Sequence, residues 1–231
     1  ILVLGFALMI GVIGGRLVPA FSQSRITRCG RPARVQNRAG LGLLAALAAG
    51  LAMAGLAADL PSRWTGTALL VAGLLQARRL SGWQSWTIKA QPDILMLHLA
   101  WAWLAFGLGL AGGALIWPQF LAFAASLHAL TMGAIGSMIF AIAARAYMAR
   151  AAGRLIASAD MIAGIALISV AAMLRVFFAD WQVFGLPGLQ VSVLCWSSAW
   201  ALFTGRALAN WHHPAPFPIL SAPAGNPPRK G

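Results

Sequence analysis

The stretch Ile94–Arg145, ILMLHLAWAWLAFGLGLAGGALIWPQFLAFAASLHALTMGAIGSMIFAIAAR, holds no Asp, Glu, Lys or Arg before its last residue. It is long enough for two membrane-crossing helices of about 20 residues each, and Trp117-Pro118-Gln119 supplies the turn between them. Each predicted helix carries one histidine in an apolar run, His98 in LMLHLAWAW and His128 in ASLHALTMG. An ionisable ring inside a membrane span is costly to keep and marks a functional site by default. This hairpin decides the fold class, and its two histidines pose the functional question.

Working outward, 60% of the 231 residues are apolar and only 9% are charged, well short of the quarter or so charged residues of a soluble domain. The spacing predicts an all-α, polytopic transmembrane helical bundle of about seven spans over residues 1–209. The spans are expected at about 1–19, 39–58, 64–77, 93–116, 119–148, 156–178 and 186–208. Residues 210–231, rich in proline (Pro214, Pro216, Pro218, Pro223, Pro227, Pro228), read as an extended or disordered cytoplasmic tail. The partner this predicts is the lipid bilayer. The opening Ile-Leu-Val-Leu has neither Met nor a charged leader, so further N-terminal helices of the same protein are expected ahead of it.

The net charge of +13 does not point to nucleic acid. All of the Lys and Arg except Arg63 and Arg175 fall in the predicted loops, or their flanks, on one side of the bundle, as the positive-inside rule requires. That side is expected to be cytoplasmic, with the first residue of the chain outside. Only four acids occur, Asp59, Asp93, Asp160 and Asp180, and there is no Glu. Paired-carboxylate catalysis and carboxylate-rich metal sites are therefore not expected within this chain. Cys29 and Cys195 form no CxxC or CxxCH, which excludes a thiol zinc site and covalent haem attachment.

On a helix, His98 shares its face with Ala102, Ala105 and Gly109, a surface that admits a close neighbour, either another helix or a flat cofactor. His128 lies beside a seam of small residues, Ala125, Ala129, Gly133, Ser137 and Ala141, whose plain meaning is helix packing. Either ring can be a haem or copper ligand or a core histidine bonded to a neighbouring helix. At 1.5 Å per residue, His98 is roughly 7 Å and His128 roughly 25 Å from the cytoplasmic side, so straight helices cannot place both on one haem. Arg16 and Arg145, at cytoplasmic span ends, are either snorkelling side chains or forked donors for anionic cofactor groups. Asp160 is expected to pair with Arg154 or Arg145. Trp83 and Trp86 read as interfacial anchors, and His212 and His213 as surface residues of the tail.

Three strings, IGGRLVPAF ending the first span, PDILMLHLAWAWLAFGLGL in the fourth and SLHALTMGAIGSMIFAIAAR in the fifth, together resemble the NnrS family, in order and over most of the chain. The resemblance implies a bacterial inner-membrane protein of about twelve spans that contains haem and copper and is linked to nitric oxide metabolism and nitrosative stress. It implies that this chain is the C-terminal portion, and it carries His98, His128, Arg16 and Arg145 onto motif positions as cofactor-binding candidates. The chain departs from the family at Met148–Arg154, where MARAAGR stands in place of an LGHTGR-like string and a histidine is missing. A membrane transporter, and a colourless assembly protein with core histidines, are the alternative readings.

Overall fold

Pro92 at the first turn starts a 25-residue helix, α4 (Pro92–Ile116), where its fixed φ and missing N–H cost nothing. Beside α4 stand α1 (Leu2–Arg28), α3 (Ser62–Ser81) and α7 (Ala159–Phe177), with α2 (Ala39–Ala57) packed on α3 and α8 (Gly188–Ala209) on α7. The second arm of the hairpin is one helical rod of three parts: α5 (Phe123–His128), a π-helical segment (Ala129–Gly136) and α6 (Ser137–Tyr147). Two short antiparallel hairpins complete the fold: β1 (Ala149–Ala151) with β2 (Arg154–Ile156), and β3 (Gln182–Val183) with β4 (Leu186–Pro187). This computed structural model describes residues 1–28, 30, 34–151, 154–183 and 185–209; Cys29, His212, His213 and the proline-rich tail lie outside the described residues.

The architecture is the all-α membrane bundle that the composition predicts, but the number of spans is corrected. Five helices, α1, α2, α4, the α5–α6 rod and α7, are long and apolar enough to cross a membrane, where about seven were expected. The two that fall short are diluted by polar side chains, not shortened. The third helix is longer than expected (20 residues) and carries Arg63, Thr65, Gln76, Arg78 and Arg79. The last, α8, is 22 residues long and carries Gln190, four serines and threonines, and Arg206.

Backbone proximity shows how these helices lie. A Cβ on Gly55, late in α2, would meet Thr65, early in α3, and one on Gly42, early in α2, would meet Arg79, late in α3. The pair is thus antiparallel along its whole length. On its other side α3 runs antiparallel to α4: a Cβ on Gly66 would come within 2.7 Å of the Gly112 carbonyl, and one on Gly73 within 2.7 Å of the Ala105 carbonyl. Small residues on both helices allow this approach. The face that His98 shares with Ala102, Ala105 and Gly109 therefore meets the α3 backbone at Gly73 and also lines an apolar cavity between the two helices. The expected seam on the second arm is also a packing surface: Ala129, Gly133, Ser137 and Ala141 are buried, with Gly133 against the indole of Trp103 and Ala129 beside Gly107.

Candidate functional site

His98 sits on the second turn of α4, 3% exposed, where α1 and the segment after α3 close over it. Ser22 of α1 donates its hydroxyl proton to the Val18 carbonyl at 2.9 Å. Its oxygen, 2.8 Å from His98 Nε2, is then left to accept from the ring. On the other side Ser85 Oγ stands 2.8 Å from Nδ1. The network thus places a proton on Nε2. Both nitrogens are engaged, so a metal could reach the Nδ1 lone pair only if Ser85 left it. Trp83, expected at the membrane interface, instead packs fully buried against this ring with centroids 5.9 Å apart; Trp86 is 87% exposed. Ser85 also lies on the wall of an apolar cavity of about 680 Å³ between α3 and α4.

One turn below His98, Asp93 is 3% exposed and receives two guanidinium groups. Arg25 of α1 donates to one carboxylate oxygen at 3.2 Å and to the Leu155 carbonyl of β2 at 3.2 Å. Arg145 of α6 stands 3.5 Å from the other oxygen, donates to the Asp93 carbonyl at 3.1 Å and lies over the ring of Phe21. Two cations on one anion leave a net positive charge in a buried place. Arg145 is thus neither a snorkelling side chain nor an open clamp; it ties α6 to α4. Arg206 of α8 grips Asp160 with two hydrogen bonds of 2.8 Å, the bidentate geometry that a guanidinium fork favours; of the two partners expected for it, Arg145 pairs with Asp93 and the Arg154 side chain lies outside the described residues.

Arg79, which the sequence presents as one more loop arginine, is 5% exposed. Its Nη1 donates to the Gly11 carbonyl at 2.9 Å and to Gln76 Oε1 at 2.9 Å, and its Nη2 to the Gly15 carbonyl at 3.0 Å. Its plane lies over Trp101 at 5.0 Å. Pro19 is the local cause. It has no N–H to give to the carbonyl four residues back, so Gly15 O is free to accept from Arg79 and from Asn37 Nδ2 at 3.0 Å. Gly15 makes room for this guanidinium and Gly11 for the amide of Gln76. Arg16 is exposed and faces a cleft between α1 and α2 that Arg79 also lines.

His128 is the last residue of α5, immediately before the π segment. Its ring is half-buried and has no hydrogen-bond partner among the described residues; Arg175 of α7 is within electrostatic reach. Helices with i→i+5 bonding are rare and frequent at functional sites. Here the widened turn lies between two indoles, Trp103 of α4 against Gly133 and Trp196 of α8 against Gly136. Trp103 Nε1 also donates to Ser169 Oγ of α7 at 3.2 Å. The two histidines share no partner. His98 belongs to the arginine-rich end with Ser22 and Asp93, whereas His128 lies beyond the interhelical turn, beside Arg175.

Tested against cofactor chemistry, the donor sets differ. A haem needs one imidazole with a free nitrogen, and His128 fits. Copper favours several nitrogen or sulfur ligands, and among the described residues no group of three or more His, Cys, Asp and Glu could hold a metal. Copper therefore does not fit a site made of these residues alone. Of the segment that departs from the family string, Ala152 and Gly153 lie outside the described residues. Arg79, Asp93, Arg25 and Ser22 were missed in the sequence. The available signal was Asp93 itself, a lone acid entering an apolar helix.

No curated protein and no solved structure matches the chain. A family model described as NnrS protein matches residues 1–211, and the chain belongs to the NnrS family.

Proposed function

We propose that this multi-pass protein resides in a bacterial inner membrane, binds haem and acts in nitric oxide metabolism or resistance to nitrosative stress, with His128 as the haem ligand. Family membership supports the class of function. The observation that carries the site is the half-buried ring of His128, without a hydrogen-bond partner among the described residues, at the start of the π segment, where the helix backbone departs from regular bonding. Haem bound there would supply an iron centre with affinity for nitric oxide. His128 holds the ligand position, and Arg175 is a cation within electrostatic reach of it, suited to meet an anionic edge of the group. His98 is a guarded second position, open only when Ser85 releases Nδ1. Arg145 acts through Asp93, as a positioning residue. Copper, where it belongs to the function, draws on ligands beyond the described ones. The arginine-rich end of the bundle faces the cytoplasm, and Ile1 lies on the periplasmic side.

The test is the optical spectrum of the full-length protein purified from cells supplied with haem. A Soret band is expected in the wild type and in His98→Ala, and is expected to vanish in His128→Ala. A colourless wild-type preparation, or an undiminished band in His128→Ala, overturns the assignment. A transporter is the second reading, and the π segment around Gly133 and Gly136 is its one supporting observation. That segment remains a continuous helix walled by Trp103 and Trp196, not the unwound backbone that a midplane transport site uses.

A further inference from the structure

The cleft between α1 and α2 has a volume of about 430 Å³ and is lined by Arg16, Arg79, Asn37 and glycines at 11, 15, 40 and 42. Its chemistry is one-sided. No acid lines it, and Arg79 is in none of the ion pairs found among the described residues. The Arg79 guanidinium is 5% exposed, its partners are carbonyls, an amide and indole rings, and its Nε has no hydrogen-bond partner. A buried cation normally has a counter-charge, because desolvation otherwise makes it very costly. On the facing wall α2 begins without a side-chain cap at Arg38 and without an acid in its first turn. The N–H groups of Ala39 and Gly40 thus have no intrahelical acceptor, and the positive end of the helix dipole points to the cleft mouth. The glycines keep side chains out of the space: nothing lies within 4 Å of a Cβ on Gly40.

We propose that this cleft is a binding site for a phosphate group, held between Arg16, Arg79, Asn37 and the N-terminus of α2. It is distinct from the proposed haem position at His128. Phosphate suits the donors because forked guanidiniums and helix N-termini both match its oxygens. The group can arrive as the headgroup of an anionic lipid, since α2 enters its apolar run at this level, or as free phosphate from the aqueous side.

The experiment separates the two sources. The full-length protein is reconstituted in nanodiscs of phosphatidylcholine alone or with phosphatidylglycerol, and lipid carried with the protein is counted by native mass spectrometry. In parallel the phosphatidylcholine sample is titrated with inorganic phosphate at constant ionic strength while its thermal midpoint is followed. One retained phosphatidylglycerol per chain identifies the lipid form, and a saturable rise of the midpoint identifies free phosphate. In either arm Arg16→Gln and Gly40→Leu are expected to weaken binding about tenfold or more, the scale of one lost charge-assisted contact. Neither variant disturbs the buried core, and Arg63→Gln, at the other end of the bundle, is expected to bind as the wild type does. Absence of both signals, or equal binding in Gly40→Leu and wild type, overturns the proposal.

Discussion

Asp93 shows how much one acid can decide in a chain with so few. Its carboxylate is the sole anion between Arg25 and Arg145, so Asp93→Asn leaves two buried guanidinium groups facing a neutral amide. Breaking a buried ion pair costs about 3–5 kcal/mol, whereas the Asp160–Arg206 pair, with side chains 24% and 36% exposed, is expected to contribute about 1 kcal/mol or less. Unfolding by titration with a denaturing detergent is therefore expected to show a far larger loss for Asp93→Asn than for Asp160→Asn; equal losses would mean that the Asp93 cluster is hydrated. His98 was legible in the sequence as a buried ring, and the reading left open whether it was a ligand or a core residue. The two serines that engage it, Ser22 and Ser85, are 76 and 13 residues away, and no spacing rule announces partners at such separations. Arg79 was misread for a related reason. Its fate is set by Pro19 on another helix, which releases the carbonyl that the arginine takes.

Helix positions and packing faces were legible because apolar length and small-residue spacing are local properties. The π segment was not, since i→i+5 and i→i+4 bonding use the same residues and differ only in how the backbone winds. The packing consequence can be tested with glycines of opposite surroundings. Gly109 has nothing within 4 Å of an added Cβ, so Gly109→Ala is expected to stabilise the protein by up to about 1 kcal/mol through helix propensity. A Cβ on Gly133 would lie 2.5 Å from the Trp103 ring, and Gly133→Ala is expected to destabilise by about 1–3 kcal/mol as the indole is displaced. The same denaturing titration checks both signs. If Gly133→Ala were neutral, Trp103 would not be the wall that holds the widened turn in place.

For the molecule as a whole, the apolar index and the geometry answer different questions. Composition counts five helices able to cross a membrane unaided, while α3, too polar to be one of them, runs the full length of α2 and turns Thr65, Gln76 and Arg79 inward. The expectation of about seven spans counted α3 and α8 with the rest, although both carry polar side chains that only shielding by neighbours accommodates. The sequence still puts nearly all cations in the loops on one side, and a sidedness experiment is decisive. With Cys29 and Cys195 replaced by serine, a membrane-impermeant thiol reagent on spheroplasts is expected to label Leu60→Cys directly and Gln36→Cys only after permeabilisation; the reverse pattern would invert the topology. The carboxylate shared by three elements also bears on biogenesis. Arg25 is synthesised 68 residues before Asp93, and Arg145 follows 52 residues after it. α1 is therefore made before the carboxylate that its Arg25 engages, and that contact can form only when α4 arrives. Asp93 acts as the latch of an ordered assembly, and a chain interrupted before it lacks the carboxylate that joins α1 to α6.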